Sequence, residues 1–149
     1  MSESDLIKLY SARILALAAD IPCLERLESP DATVKRRAPL CGSTVTVDIN
    51  LTDGRISAYG QDVKACALGQ AAASVVGANI IGRSRAEVEA ARNALLTMLK
   101  EDGPTPPAPF DGLEVLRPAR DYKNRHASIM LTLEATLEAM DSARQSNCA

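Results

Sequence analysis

The chain has 149 residues, with 19 acidic and 17 basic groups and a formal net charge of −2. That length predicts a single domain, and 46% hydrophobic residues supply the apolar material for its core. The near-neutral balance and 3% aromatics, with no tryptophan, argue against a nucleic-acid binder that works by phosphate neutralisation or base stacking.

No stretch approaches the ~20 consecutive apolar residues that span a bilayer. The segment Met1-Ser-Glu-Ser-Asp5 is acidic where a secretory signal would be basic, so a cytoplasmic protein with no membrane partner is expected. The four cysteines, at 23, 41, 66 and 148, then read as thiols, metal ligands or redox groups rather than disulfides. Their wide spacing, with no CxxC, rules out a zinc-finger or thioredoxin motif.

The first predicted helix carries Leu6, Ile7, Tyr10, Ile14, Leu17 and Ala18 at helical spacing, with N-caps among Ser2 to Ser4 and its end near Pro22. Residues 20–32 hold two prolines and read as a connecting loop. Val45, Val47, Ile49 and Leu51 then alternate with Thr44, Thr46, Asp48 and Asn50, the period of a half-buried strand. Thr52-Asp53-Gly54 supplies turn chemistry, and Arg55–Gly60 returns as the second strand of a hairpin. Thr33–Ala38 can pair as a third strand.

After the hairpin the period becomes helical. Ala67, Leu68, Ala71, Ala72, Val75, Val76, Asn79 and Ile80 form a stripe on a helix made thin by alanines and Gly69, suited to lying against a sheet. Gly82 marks its end. Ser84 and Glu87 form a capping box that opens a helix with Val88, Ala91, Leu95 and Leu99 inward. A proline-rich loop spans Gly103–Pro109, and a final helix runs from about Tyr122 to Met140 on Ile129, Met130, Leu133, Leu137 and Met140. The expectation is an α+β fold: a three-stranded antiparallel sheet packed by helices on one side, in a single domain over 1–140, with 141–149 a flexible tail.

Three residues stand where chemistry is possible. Cys41, in Pro39-Leu-Cys41-Gly-Ser43, sits at the mouth of a strand beside a glycine; it reads either as an accessible ligand or as a small packing residue. Cys66 precedes a helix, where free N–H groups, the helix dipole and Lys64 favour a thiolate, although a buried thiol fits equally. His126, the single histidine, lies beside the apolar face of the last helix, as a satisfied boundary residue or as a ligand. Cys23 and Cys148 have no structural anchor. No Ser/His/Asp set, phosphate loop or paired-carboxylate signature occurs, so an enzyme is not expected.

The segments Pro39-Leu-Cys41-Gly-Ser43-Thr-Val-Thr-Val47, Asp53-Gly-Arg-Ile56 and Ala65-Cys66-Ala-Leu-Gly-Gln-Ala-Ala-Ala-Ser74 together resemble the NifU N-terminal, or IscU-type, iron–sulfur scaffold family. In that family a Cys-Gly-Asp opens the sheet, a second cysteine precedes a small-residue helix, and a Pro-x-Arg element leads to a third cysteine on the last helix. Pro118-Ala119-Arg120 and Arg125-His126-Ala127-Ser128 fill the later positions, and the resemblance spans roughly Tyr10 to Met140. It departs from the family at Ser43, which replaces the Asp, and at His126, which replaces the third cysteine.

The resemblance implies a scaffold or carrier that binds iron or a labile [2Fe–2S] cluster and transfers it to recipient apo-proteins. Its ligands would be Cys41, Cys66 and His126, with Ser43 or Asp62 as a possible fourth ligand. Imidazole can replace thiolate on iron and suits zinc equally. A homodimer sharing one cluster is another source of the missing ligand. Imidazole cannot carry a persulfide, so Cys66 becomes the candidate acceptor of sulfur from a cysteine desulfurase. The Leu-Pro-Pro-Val-Lys chaperone motif of the IscU branch is missing, which points to the SufU-like or a divergent branch. Two alternatives follow: a zinc-binding sulfur acceptor that activates a desulfurase, and a metal-free partner-binding module.

Overall fold

The structure, a computed structural model, describes residues 11–39 and 42–147. The chain runs through helix α1 (Ala12–Ala19), strands β1 (Ala32–Arg37), β2 (Thr44–Thr52) and β3 (Arg55–Lys64), and helices α2 (Ala67–Asn79) and α3 (Arg85–Glu101). A 3-10 segment (Phe110–Asp121) and a long helix α4 (Lys123–Asn147) complete it. The expected start of the first helix, with its caps at Ser2 to Ser4, lies outside the described residues. Within them, Ser11 caps α1 by accepting from Ile14 N at 3.3 Å.

The sheet has the order β1-β2-β3 and is antiparallel throughout. Asp53 and Gly54, with φ of 54° and 77°, make the two-residue turn that the Thr-Asp-Gly run predicts. β3 continues past Gly60 to Lys64, because Gln61 and Val63 keep the alternation going opposite Val47 and Val45. Val34, Val45, Val47, Ile49 and Tyr59 turn to one face and are buried there. α4 lies across β1 and β2 on that face, and the Tyr59 hydroxyl meets Thr136 Oγ1 at 2.9 Å. α3 and the 3-10 segment pack on the outer side of the helical layer. The α+β arrangement with helices on one side of a three-stranded sheet is thus the observed one.

Two elements depart from expectation. The small residues of α2 do not serve the sheet: Ala71, Ala72, Ala73, Ser74 and Gly77 are all buried, and the main neighbours of α2 are α1 and α4. A helix buried all round needs small side chains on every face. The stretch expected as a flexible tail is also helical up to Asn147. Asp141 pairs with Arg85 at 2.6 Å, and Ala143 is fully buried, so tertiary contacts extend α4 past its last large apolar residue.

The other face of the sheet is crossed by the connection between α1 and β1. Gln61 N donates to Cys23 O at 2.8 Å, which ties this strap to the β3 edge. It then passes over Gly60, where a Cβ would sit 2.6 Å from Glu25 O, so only glycine admits it. On β2 it ends at Asp48, whose fully buried carboxylate accepts from Arg26 Nε (2.5 Å), Arg26 Nη2 (3.0 Å), Leu27 N (3.1 Å) and Thr33 Oγ1 (2.6 Å). The alternation placed Asp48 on a solvated face; the strap converts that face into a second, polar layer.

Burial alone would raise the Asp48 carboxyl. The hydrogen bonds from Arg26, Thr33 and Leu27, with the Arg26 charge, outweigh it and hold the group below the ordinary carboxylate range. A lowered folded value means that Asp48 contributes its full stability above the unfolded carboxylate pKa of ~4, and loses it as pH falls through the folded value. Asp48→Asn should cost about 2 kcal/mol at neutral pH, the scale of hydrogen bonds to a charged group. Urea unfolding of both proteins across acid pH should show that difference shrinking as the native carboxylate protonates.

Candidate metal and sulfur site

Three chain segments meet where β3 gives way to α2. Cys66 occupies the N-cap of α2, with φ −68° and ψ 169°, and makes no side-chain cap bond, so its thiol is not used to close the helix. It is half-buried. Ser43, just before β2, is buried, and its Oγ lies 3.0 Å from Ser128 Oγ on α4. Ser128 Oγ in turn lies 3.6 Å from Cys66 Sγ. One hydroxyl therefore links Ser43, at the entry to β2, to the cysteine that opens α2.

The approach depends on Gly69. A Cβ there would stand 2.5 Å from Ser128 Oγ, 3.2 Å from Ser128 O and 2.9 Å from Ala65 Cβ. With no side chain at 69, the first turns of α2 and α4 come close enough for the serine to reach the sulfur. The sequence names Gly69 only as thinning a helix for the sheet and Ser128 only within the Arg125-His126-Ala127-Ser128 run; the contact between them is not expected from it. The signal was the run of small residues at 65, 67 and 69, which marks close helix approach rather than a thin helix on a sheet.

Cys41 lies outside the described residues, as does Cys148. The flanks of the Cys41 loop are closed by Ala38 N donating to Ser43 O (2.8 Å) and Gly42 N donating to Ala38 O (3.2 Å). His126 is buried in the first turn of α4, with Nε2 at 3.1 Å from Ala119 O and 3.0 Å from Arg120 O. Carbonyls only accept, so Nε2 carries a proton, and Nδ1 is the ring nitrogen that could offer a lone pair. The Pro118-Ala119-Arg120 element thus supplies the carbonyls that orient the histidine. Arg120 is anchored to Asp102 at 2.5 Å, and Arg117 reaches the same carboxylate at 2.9 Å. Both arginines hold the Asp102 carboxyl below its ordinary range and fix the end of the 3-10 segment to the end of α3.

His126 and Ser128 are two positions apart on α4, so their side chains leave the axis in divergent directions, roughly 200° apart. Ser128 turns to Cys66, and His126 turns to the 3-10 segment. Among the described residues no group of three or more His, Cys, Asp or Glu side chains stands together. Asp62 is exposed and pairs with Thr46 in register; it shares the strapped face with Asp48 and Gly60, where it acts on Arg26. It is not brought to Cys66. Lys64 ends β3, exposed, opposite Thr44. Cys23 lies in the strap, with Sγ donating to Gly77 O at 3.7 Å and its pKa raised by burial, which favours an inert thiol.

No protein-family model and no curated protein matches this chain. Solved structures do. A nitrogen-fixing NifU-like protein (N-terminal) from Brucella abortus is 41% identical, with a TM-score of 0.92 over 95% of this chain and 98% of that one. A candidate iron–sulfur cluster assembly scaffold protein for the SUF system from Fervidobacterium islandicum AW-1 is 18% identical, with a TM-score of 0.78 over 90% and 98%. A hypothetical protein, also 18% identical, has a TM-score of 0.81 over 91% and 98%. The last two share the fold. The first shows the family: this chain belongs to the NifU-like N-terminal proteins. No helix among the described residues is long and apolar enough to cross a membrane.

Gly69→Ala should lower the melting temperature, because the overpacking cost of about 1–3 kcal/mol exceeds the helix-propensity gain of about 1 kcal/mol. Adding Ser128→Ala removes the nearest atom, and the double variant should recover part of the loss. Thermal melts of the two single variants and the double variant measure this coupling.

Proposed function

We propose that this chain is an iron–sulfur cluster assembly scaffold or carrier, which takes up iron and sulfide and passes a [2Fe–2S] cluster to apo-proteins. The observation that carries the reading is the 41% identity to a NifU-like N-terminal protein across 95% of the chain. The cluster is cargo, so a site that holds it without enclosing it suits the task. Cys66 is half-buried at a helix start, and Ser43, two residues after Cys41 in the sequence, reaches it through Ser128. His126 would contribute Nδ1, since its Nε2 already donates to backbone carbonyls; a second interaction of this kind commonly orients a ligating imidazole.

Cys66 is also the proposed entry point for sulfur. Its thiolate would attack the outer sulfur of a persulfide on a cysteine desulfurase. A new S–S bond forms at Cys66, and the desulfurase cysteine leaves as thiolate. The hydroxyl of Ser128 lies beside the attacking atom. Ser43 is engaged with Ser128 rather than standing as a carboxylate ligand, so the fourth position falls to solvent, a second copy of the chain or a partner.

The test is anaerobic reconstitution with a cysteine desulfurase, cysteine and ferrous iron, followed by iron and sulfide analysis. Cys66→Ser and Cys41→Ala should each abolish cluster loading. His126→Ala should weaken it about 10–100-fold, the usual cost of damage to a ligation shell. Cys23→Ser and Cys148→Ser should load as the unaltered protein does. Full loading of the Cys66 variant would overturn the site assignment. Tight zinc uptake with no sulfide would favour the zinc-dependent sulfur-acceptor reading, for which a thiolate and imidazole donor set is equally suited.

A further inference from the structure

Between the end of β1, α3 and the first turns of α4 lies a groove of about 690 Å³. Arg36, Arg37, Arg92, Lys100, Arg120 and Lys123 line it, against one carboxylate, Glu134. The whole chain carries −2, so this concentration of positive charge is local. Part of it is neutralised: Arg36 and Arg92 pair with Glu134, Arg36 also with Glu138, and Arg120 with Asp102. Arg37, Lys100 and Lys123 are exposed, and no salt bridge among the described residues engages them. The floor is apolar, built from Leu96, Leu99, Met130 and Leu131. Ala38, Pro39 and His126 also line it.

We propose that this groove docks an acidic segment of a partner protein, with carboxylates on the rim cations and apolar side chains on the floor. Charge complementarity selects the partner's sign, and the apolar floor selects a peptide over a small anion, which would leave that floor uncovered. No Phe, Tyr or Trp lines the groove, so it lacks the usual platform on which nucleic-acid bases stack. A segment docked there would lie beside His126. Its use in delivering sulfur or receiving a cluster rests on the scaffold reading, whereas the binding itself requires neither metal nor sulfide.

The experiment therefore uses the metal-free full chain and a fluorescein-labelled peptide of glutamates interspersed with leucines, read by fluorescence anisotropy. The same peptide with glutamine in place of glutamate is the comparison. The glutamate peptide should bind at least about tenfold more tightly than the glutamine peptide and weaken with added salt. The double variant Arg37→Glu/Lys123→Glu should lose about tenfold or more in affinity with an unchanged melting temperature. Arg13→Glu, on the exposed side of α1, should bind as the unaltered chain does. Equal affinity for the two peptides would overturn the proposal, as would insensitivity to the double reversal. So would a single-stranded oligonucleotide that outcompetes the peptide through the same two residues. Failure here with normal cluster loading would sink the docking site alone and leave the scaffold reading standing.

Discussion

The backbone of α4 can approach the start of α2 only because residue 69 has no side chain. Most of the molecule follows from that contact. It brings Ser128 onto Cys66 and Ser43, and so joins the beginning of the sheet, the beginning of α2 and the beginning of α4 at one point. Two turns further along, α4 crosses β1 and β2, where Thr136 meets Tyr59 and the inner sheet residues find their cover. Alanines along α2 continue the same economy of volume, so that α1 and α4 both pack closely on it.

Around this junction the fold is fastened by two kinds of polar contact of unequal weight. Asp48 is fully buried and receives four hydrogen bonds, so losing it leaves the strap and the sheet face without their shared acceptor. The ion pairs of Arg36 with Glu134 and Glu138 are partly exposed, and such pairs are worth about 0–1 kcal/mol each. The Asp102 cluster is as exposed, yet it has a positional role: it pins the 3-10 segment whose last carbonyls orient His126. Firm packing on the sheet side thus lies beside the segments that carry Cys66 and His126.

Much of the fold is legible in the residues. Alternating Val45, Val47 and Ile49, the Asp53-Gly54 turn and the Ser84–Glu87 box each have a local cause, and each is where the pattern puts it. The 3-10 segment escaped because its apolar residues follow neither helical nor strand spacing. Phe110, Leu113, Leu116 and Ala119 are all buried and stand three apart, which is the 3-10 period itself. The end of α4 escaped for a different reason: no large apolar residue after Met140 continues the helical stripe, and the partners that hold Asp141 and Ala143 lie elsewhere in the fold. At the site, Cys66 and the carbonyls that receive His126 are traceable to quoted motifs. Ser128 stands in the quoted Arg125-His126-Ala127-Ser128 run, but its contact with Cys66 is not legible there, because it depends on the missing side chain at Gly69 on another helix.

The scaffold reading stands on family membership and on a half-buried cysteine placed beside a hydroxyl. Its most direct test is the content of iron, zinc and acid-labile sulfide per chain in protein purified without oxygen from cells supplied with iron. Iron and sulfide in equal amounts, lost together on exposure to air or chelator, is the result the account predicts. Protein that holds zinc and no sulfide, or that takes up neither iron nor sulfide, would contradict it.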